Sequence, residues 1–435
     1  MKSRTLWFAA IVALAPIATP SARADDAPAQ ASPADPRPVL ALDAAIARGL
    51  AASPGLRSQR ARNDASAARI DETSAARRPS LSAGASVSTG NKVGTFASAA
   101  ATARASVNAS WLLYDFGQTS ASIDAARATA QAGDATLASD RLDVVSAVET
   151  AYYEAVARRL LVDVARDALA SQERRLDQAT RFVAAGSRAP IEVAQARTQV
   201  ASARTALVRA ENAAETALAS LDLARGGWDG APFQVAATWP GPTADEDAPR
   251  TQLVDAARKT RPELAAQRLT IEASEHSLAA SRLSLRPDLT AQAGLDATTD
   301  LQSTPEPGWS ASLSLSWTLF DGGRHRAQVR EAVAARAVAA AELDQLELGL
   351  RVDVTSAQLA IRAGKAEAVS AAEATSAARA QLALAEKRYV DGAGSGIELA
   401  DAQSAVVQTA ADEITAQWDL ATARARLRRV LGQAR

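Results

Sequence analysis

The sequence predicts a mainly α-helical protein that also carries four β-strands of membrane length, arranged as a two-fold internal repeat. A segment at residues 106–117 returns at residues 312–323, with Ser, Trp, Leu, an aromatic residue, Asp and Gly in the same order. Apolar and small polar residues alternate in each copy, which is the period of a β-strand with one apolar face. A Pro-free, Ala-rich segment of about seventy residues follows each copy. The repeated unit is therefore a strand that leads into a very long helix.

The first residues are expected to be removed from the mature protein. Two basic residues precede an apolar run from Leu6 to Ala18, and a small-x-small site ends at Ala24. This pattern is typical of a secretory signal peptide over residues 1–24. An uncleaved membrane anchor is the alternative, but the apolar run is short for crossing a bilayer. The Ala-, Pro- and Asp-rich residues 25–38 are predicted to be a disordered leader.

The composition excludes several classes of function. The chain has no Cys, which excludes disulfides, thiolate metal sites, Cys nucleophiles and lipid attachment to an N-terminal Cys. Acidic and basic residues nearly cancel, with a formal net charge of -1, so nucleic acid is not an expected partner. Beyond the signal peptide no stretch approaches the length of a spanning apolar helix, so a membrane role would depend on strands.

Repeat 1, residues 39–227, is predicted to begin with two short helices and a β-hairpin. Amphipathic helices run from Leu42 to Ala52 and from about Leu56 to Ala76, and Arg78-Pro79 ends the second helix. Alternation of apolar with small polar residues then predicts a β-hairpin over residues 80–114. Its length and alternation are typical of a transmembrane hairpin.

A long helical hairpin, residues 117–225, completes repeat 1. Apolar residues recur in it at intervals of three or four, as in a coiled coil. At about 1.5 Å per residue its first helix would be on the order of 100 Å long, far beyond a compact domain. The apolar seam consists of Leu142, Val145, Val148, Tyr152, Val156, Leu160 and Val164.

Repeat 2, residues 250–435, follows the same plan. A Pro-, Gly- and acid-rich connector, residues 228–249, separates it from repeat 1. Its β-hairpin is predicted over residues 288–320 and its long helical hairpin over residues 323–432. Each repeat therefore contributes two strands and two long helices.

Four strands are too few to close a membrane barrel. The smallest closed barrels need about eight strands, and an open sheet edge in lipid would leave backbone N–H and C=O groups without partners. The protein is therefore expected to form a homo-oligomer that shares one barrel. The long helices would continue the same cylinder into the periplasm.

The strand pattern also assigns the two faces of the sheet. Aromatic residues make up only 4% of the chain, yet five of them cluster in or beside the second strand of each hairpin, which favours an aromatic belt at the membrane interface. The belt residues are Trp111, Tyr114, Trp309, Trp317 and Phe320. The positions expected to face lipid are Ala105, Val107, Ala109, Leu313 and Leu315. Those expected to face the lumen are Ser106, Asn108, Ser312 and Ser314.

The order of these motifs resembles a known family. The repeat, the strand ends Leu113-Tyr114-Asp115-Phe116-Gly117 and Leu319-Phe320-Asp321-Gly322-Gly323, and the motif Arg261-Pro262-Glu263-Leu264 are similar to those of the TolC family of outer-membrane efflux and secretion channels. The similarity covers residues 40–432. It implies a homotrimer with a shared barrel of twelve strands, an α-helical tunnel through the periplasm, and a location in the outer membrane of a Gram-negative bacterium.

The resemblance also implies a function and partners. The expected role is that of a passive exit duct in a tripartite efflux pump or a type I secretion system. The expected partners are other copies of the chain, outer-membrane lipid, a periplasmic adaptor protein, and an inner-membrane transporter of the RND, ABC or MFS type. The sequence does not indicate which substrate is exported.

The two turns between the long helices are the candidate functional positions. Six residues separate Gly186 from Glu192, and six separate Gly392 from Glu398. In the resembling family these turns form the periplasmic tip that meets the adaptor. The docking residues implied here are Gly186, Ser187, Gly392 and Ser395.

Two acidic residues near the second turn are the candidate pore constriction. Glu398 and Asp401 are three residues apart and so share a helix face. If that face lines the lumen, rotational symmetry makes two acidic rings, which would select for cations. The resemblance places acidic pore residues at the same two positions. The alternative is a solvated face at a helix start, where the helix dipole favours acids. Repeat 1 has Glu192 but Gln195, so only repeat 2 would supply both rings.

The resemblance further implies tethers that hold the entrance closed. By position, Tyr389 is expected to donate a hydrogen bond to Glu192. The basic partner expected two residues after Gly392 is replaced here by Gly394. Arg388 or Arg188 is the candidate to take its place.

Other classes of function fit the sequence less well. No catalytic, cofactor or metal site is predicted, because His276 and His325 are not in a Ser/His/Asp or metal-ligand spacing. A periplasmic adaptor is the alternative function, but it would show one helical hairpin and no repeated strands. An exported enzyme and a single-chain barrel are also disfavoured.

Overall fold

The computed structural model describes residues 38–90, 100–227, 233–299, 304 and 306–433. The predicted signal peptide and all but the last residue of the predicted leader lie outside these ranges, as do the first residues of the connector.

Each repeat contains the same series of elements. Repeat 1 comprises β1 (Val39–Leu40), α1 (Leu42–Ala52), α2 (Pro54–Ala75), β2 (Ser80–Gly90), β3 (Ala100–Tyr114), α3 (Gln118–Ala184) and α4 (Ile191–Ala224). The connector contains β4 (Gln234–Val235) and a 3-10 turn (Ala244–Asp247). Repeat 2 comprises α5 (Arg250–Thr260), α6 (Pro262–Leu283), β5 (Asp288–Thr299), β6 (Glu306–Ser316), α7 (Arg324–Val390) and α8 (Gly396–Val430). The short strands β1 and β4 pair in parallel and so join the connector to the start of repeat 1.

The membrane-length strands form one antiparallel sheet in the order β2-β3-β5-β6. The central pair, β3 with β5, joins repeat 1 to repeat 2, from Ala103 opposite Thr299 to Tyr114 opposite Leu289. Among the described residues, β2 and β6 are therefore the free edges of this sheet. Their backbone groups on the outer side have no strand partner in the part of the chain that the structure describes.

The prediction that the second hairpin extends to residue 320 is wrong for the single chain. Strand β6 ends at Ser316, which pairs with Asp288, the first residue of β5. In repeat 1 the equivalent strand continues to Tyr114 because its other side pairs with β5 through a β-bulge near Leu112. An edge strand has no such second partner, so residues 317–320 leave the sheet.

The long helices α3 and α7 each contain 67 residues, which corresponds to about 100 Å at 1.5 Å per residue. The start of the predicted apolar seam is buried, with Val148, Tyr152 and Val156 at most 1% exposed. They pack with Leu221 of α4 and Ala421 of α8 in one core cluster. In the described ranges, no helix combines the length and apolar composition needed to cross a bilayer.

A second core cluster, between α5, α6, α7 and α8, supports repeat 2. The connector is held beside it by Glu246, whose carboxylate lies 2.8 Å from Arg424 Nε and 3.0 Å from Lys365 Nζ. Burial would raise the pKa of Glu246, but the Thr243 N–H bond and these two cations lower it overall. The connector is therefore fixed to both long helices of repeat 2.

The Asp-x-Gly motif after each second strand starts the long helix. Asp115 accepts hydrogen bonds from the backbone N–H groups of Gly117 at 3.0 Å and Thr119 at 2.6 Å. In repeat 2, Asp321 accepts from Gly323 at 2.9 Å and His325 at 2.7 Å. Gly117 and Gly323 have φ of +94° and +93°, where a side chain would be strained. The repeated Asp thus satisfies backbone donors that a helix start leaves unpaired.

Replacing Asp115 by Ala should destabilise the protein by about 1 kcal/mol, the usual cost of losing a helix cap. Burial would raise the Asp115 pKa, but hydrogen bonds from Thr119 and Gly117 and the charge of Arg77 lower it overall. Its stabilisation is therefore present above the ordinary carboxyl pKa and is lost as the pH falls through the lowered value. Thermal unfolding followed by circular dichroism should show a difference at neutral pH that disappears in strong acid.

Asp124→Ala is the matched control, because Asp124 forms an exposed ion pair with Arg127 on the same helix. An equal loss of stability in both variants would show that the cap is not the cause.

Candidate functional site

The two turns between the long helices lie together at one end of the molecule. Tyr389, in the last turn of α7, donates a hydrogen bond from its hydroxyl to Glu192 Oε2 at 3.0 Å, in the first turn of α4. The predicted contact between these two residues is therefore present within one chain. Its role in closing an entrance stays a prediction.

Each turn contains a glycine with left-handed backbone geometry. Gly186 and Gly392 follow the ends of α3 and α7 with φ of +71° and +76°. Ser395 then begins α8 by accepting a hydrogen bond from the backbone N–H of Glu398 at 3.1 Å. Gly186, Ser187, Gly392 and Ser395, the predicted adaptor-docking residues, are all exposed.

Tyr389 is the buried centre of this site. Its side chain packs with Ala385, Leu399 and Ala402 and is 2% exposed. Burial, followed by the hydrogen bond to Glu192, raises the pKa of the Tyr389 phenol. A phenol is protonated at physiological pH even at its ordinary pKa, and the upward shift acts in the same direction, so Tyr389 is the donor to the Glu192 carboxylate.

Arg188 is the basic residue that connects the two turns. Its Nη2 donates to the carbonyl oxygen of Gly394 at 3.3 Å, and its Nη1 lies 3.6 Å from Glu192 Oε1. Its guanidinium carbon is 4.9 Å from the centre of the Tyr389 ring, in cation-π geometry. One residue from repeat 1 therefore contacts the backbone and an aromatic ring of repeat 2.

The surroundings of position 394 favour Gly, because a side chain there would lie close to the backbone of the preceding helix. The Gly394 backbone N–H donates to the Arg388 carbonyl at 2.8 Å. A Cβ at this position would lie 3.0 Å from the Arg388 carbonyl carbon and from the Tyr389 nitrogen. A basic side chain at position 394 would thus disturb this turn, and Arg188 supplies the positive charge from the opposite side.

A second set of polar contacts joins the two helical hairpins, besides those of Tyr389 and Arg188. Arg175, which is 8% exposed, donates from Nη2 to the Gly396 carbonyl. Gln172 donates to Gln403 Oε1 at 3.1 Å, and Gln403 donates to Ser171 Oγ at 3.2 Å. The two helical hairpins are therefore joined by consecutive polar contacts.

The other candidate basic residue, Arg388, forms its ion pair within repeat 2. Its Nη1 lies 2.7 Å from Glu398 Oε1 within repeat 2. Glu398 is thus paired with a cation, whereas Asp401 is exposed and has no ion pair with any residue in the described part of the chain. The two predicted ring residues consequently differ in their available negative charge.

Two of the predicted belt residues donate a side-chain hydrogen bond to the backbone. Trp111 Nε1 donates to the Arg77 carbonyl at 2.9 Å, and Trp317 Nε1 donates to the Leu285 carbonyl at 3.1 Å. Each bond fixes the end of the second strand to the end of the preceding short helix. Trp309 and Phe320 are 79% and 88% exposed. The assignment of all five residues to a membrane interface stays a prediction.

Sequence reasoning identified Tyr389 and Glu192 and gave Arg188 as one of two candidates for the basic partner, but it did not identify Arg175. Arg188 lies four residues before Glu192, and that spacing is a usable signal for an ion pair. Arg175 carries no comparable signal, because its partner is a backbone carbonyl 221 residues away in the chain.

Comparison with known proteins identifies the family. The family model described as outer membrane efflux protein matches residues 45–227 and 253–433, which are the two repeats. Protein CyaE of Bordetella pertussis is 31% identical over 385 residues, covering 86% of this chain and 80% of that protein.

Solved structures with the same fold include two proteins described as outer-membrane proteins, OprN and VceC, and the transmembrane channel CusC. The outer-membrane channel OprN has a TM-score of 0.78 at 22% identity, with 90% of each chain covered. CusC has a TM-score of 0.78 at 18% identity, covering 90% of this chain and 92% of CusC. VceC of Vibrio cholerae has a TM-score of 0.77 at 19% identity, covering 90% of this chain and 96% of VceC. The chain belongs to the outer membrane efflux protein family, and it serves as an exit duct through the outer membrane.

Proposed function

We propose that this chain is the homotrimeric duct of a tripartite export assembly and conducts substrate passively through the helical tunnel and the barrel. The observation that carries the proposal is the sheet with two free edges, β2 and β6. Because strand direction alternates along the order β2-β3-β5-β6, the β6 edge of one copy is antiparallel to the β2 edge of the next. Head-to-tail pairing can therefore continue around a ring.

The exposed apolar side chains of the two edge strands support a sheet that lies in lipid. Leu313 and Leu315 of β6 are 66% and 67% exposed, and Leu81 of β2 is 75% exposed. Three copies of the four-stranded sheet supply twelve strands, which is enough to enclose a lumen. In lipid, pairing of the edges satisfies the backbone groups that a single chain leaves open.

The proposed protein partners follow from the exposed turns between the long helices. The exposed turns around Gly186 and Gly392 fit the periplasmic adaptor, and the adaptor connects the duct to an inner-membrane transporter. The mature protein has no Cys and therefore no site for an N-terminal lipid. Cationic or neutral substrates fit the proposed acidic rings at Glu398 and Asp401 better than anionic ones do.

Chemical cross-linking in detergent tests the assembly. Protein extracted from outer-membrane fractions should give a limiting species at three times the mass of one chain. The physical reason is that only other copies can pair the β2 and β6 edges. A stable monomer that retains its β-sheet signal would contradict the shared barrel.

The acidic rings should control ion selectivity. In planar bilayers the wild type should pass small, cation-selective currents, because carboxylates in a constriction raise the local cation concentration. Replacing both Glu398 and Asp401 by Ala should weaken the selectivity and the block by multivalent cations. Asp401→Ala should account for most of the loss, since Glu398 is already paired with Arg388.

Asp177→Ala is the matched control for the rings, because Asp177 is an exposed acid of repeat 1 paired with Arg181. If the double variant keeps its selectivity and block, these carboxylates are solvated helix-start residues and the constriction lies elsewhere.

Loosening the contacts between the turns should open the entrance. Tyr389→Phe combined with Glu192→Gln removes the hydrogen bond and the charge that hold the turns together, and it should raise single-channel conductance. Arg188→Ala should raise conductance as well, because Arg188 contacts both Glu192 and the Gly394 carbonyl. Cation selectivity should persist in both variants, since the rings are unchanged.

Arg181→Ala provides the control for Arg188→Ala, since Arg181 is exposed and pairs with Asp177 on the same helix. Unchanged conductance in the Tyr389 and Arg188 variants would show that these contacts do not hold the entrance closed.

A further inference from the structure

The two repeats correspond residue by residue. Gln118 of α3 corresponds to Arg324 of α7, a spacing of 206 residues, and Leu42 of α1 corresponds to Arg250 of α5, a spacing of 208 residues. Packing at the ends of α4 and α8 repeats in the same way. A Cβ on Gly226 would meet Ala52 at 2.8 Å, and one on Gly432 would meet Thr260 at 2.9 Å. Contacts made by one repeat therefore predict contacts of the other.

Equivalent positions on α3 and α7 differ sharply in burial. Leu142 of α3 is 8% exposed, and its counterpart Leu348 on α7 is 62% exposed. Ala132 is 9% exposed and its counterpart Val338 is 57% exposed. The same face is thus covered in repeat 1 and open in repeat 2.

The helices that bury this face of α3 belong to repeat 2. Helix α3 packs against α6 and α8 in addition to α2 and α4 of its own repeat. The counterparts of α6 and α8 are α2 and α4. In one chain α2 and α4 have already packed against α3, so the α2 and α4 that would cover α7 belong to a second copy.

Within the chain, this junction is ionic. Arg429 of α8 has its Nε 2.6 Å from Asp143 Oδ1, its Nη2 3.2 Å from Ser139 Oγ, and a further ion pair with Glu263 of α6. Burial would lower the Arg429 pKa, but the bonds to Asp143 and Glu263 raise it overall. The junction between α3, α6 and α8 is therefore held by charge.

The counterparts of these charged residues are apolar or lack a side chain. Arg429 corresponds to Leu223, which is 81% exposed, Asp143 corresponds to Gly349, and Glu263 corresponds to Gly55. A Cβ on Gly349 would meet nothing within 4 Å, and one on Gly55 would meet only Ser53 Oγ, at 3.6 Å. The chain thus presents an exposed Leu and two glycines with open space around them at the corresponding positions.

We propose that a second copy of this chain covers α7 with its α2 and α4. Leu223 of the partner subunit then packs against Gly349 of this chain, next to Gly55 of the partner subunit. The inference rests on the homotrimer proposed above. Junctions around the ring then alternate between ionic contacts within a chain and apolar contacts between chains. Apolar surfaces can associate without removing a charged group from water, which is the costly step for a buried ion pair.

The same correspondence sets the register of the shared barrel. Within the chain, Val107 of β3 lies opposite Leu295 of β5. Their counterparts are Leu313 of β6 and Val87 of β2. Leu313 therefore lies opposite Val87 of the partner subunit. In this register residues 317–320 also gain a strand partner, and β6 extends to the length that the sequence pattern predicts.

A charge placed at the apolar junction tests the inference. Leu223→Arg should abolish the trimer in detergent at protein concentrations where the wild type is trimeric, because the guanidinium would have no partner. Ser220→Arg is the matched control on the same helix. Its counterpart in repeat 2 is Arg426, which is exposed, so this variant should remain trimeric.

A compensating charge should restore assembly. Gly349→Asp combined with Leu223→Arg recreates between chains the pair that Arg429 and Asp143 form within a chain. The double variant should regain the trimer and, unlike the wild type, lose it at high salt, because salt screens a partly exposed pair. A Leu223→Arg protein that stays trimeric, or a defect that Gly349→Asp does not relieve, overturns the junction.

Disulfide trapping tests the register independently of the helix variants. The chain has no Cys, so Leu313→Cys with Val87→Cys should give disulfide-linked dimers and trimers on oxidation. The pair shifted by one residue, Leu313→Cys with Ser88→Cys, should not, since adjacent strand residues point to opposite faces. Equal or reversed cross-linking overturns the register. A wild-type protein without a trimer contradicts the proposed function itself, whereas a trimer indifferent to these changes contradicts only this inference.

Discussion

Backbone hydrogen bonding in lipid is the constraint on which the rest of this structure depends. A four-stranded sheet with edges β2 and β6 leaves two rows of N–H and C=O groups open, and a bilayer offers them no water. The proposed pairing of these edges closes the sheet into a cylinder, and a closed ring is built from equivalent units. The two-fold repeat meets this requirement, because each chain supplies two such units.

The transition from strand to helix is the second element of this design. Each long helix begins immediately after the sheet, so its first backbone N–H groups need acceptors at the end of a strand. Asp115 and Asp321 provide them, and both carboxyl pKa values are lowered as a result. The adjacent Trp111 and Trp317 fix the same strand ends to the preceding helices. The Asp-x-Gly motif is therefore a structural requirement of the fold.

At the opposite end the chain uses its two repeats differently. Tyr389, Glu192 and Arg188 connect the turns through a hydrogen bond, an ion pair and a cation-π contact. The acids Glu398 and Asp401 occur together only in repeat 2, as does the exposed apolar face of α7. Duplication thus supplies the equivalent units of the proposed cylinder, and divergence between the repeats supplies the residues of the proposed entrance and of the proposed surfaces between copies.

The sequence alone determined the repeat, the strand alternation, the long helices and the position of the two turns, because each depends on residues that are close in the chain. It also indicated Tyr389 and Glu192 as a pair through the family resemblance. Only the tertiary structure showed that β6 stops at Ser316, that Arg188 reaches the Gly394 carbonyl, and that Arg388 pairs with Glu398. These features depend on strand pairing and on contacts between distant segments, which periodicity does not encode.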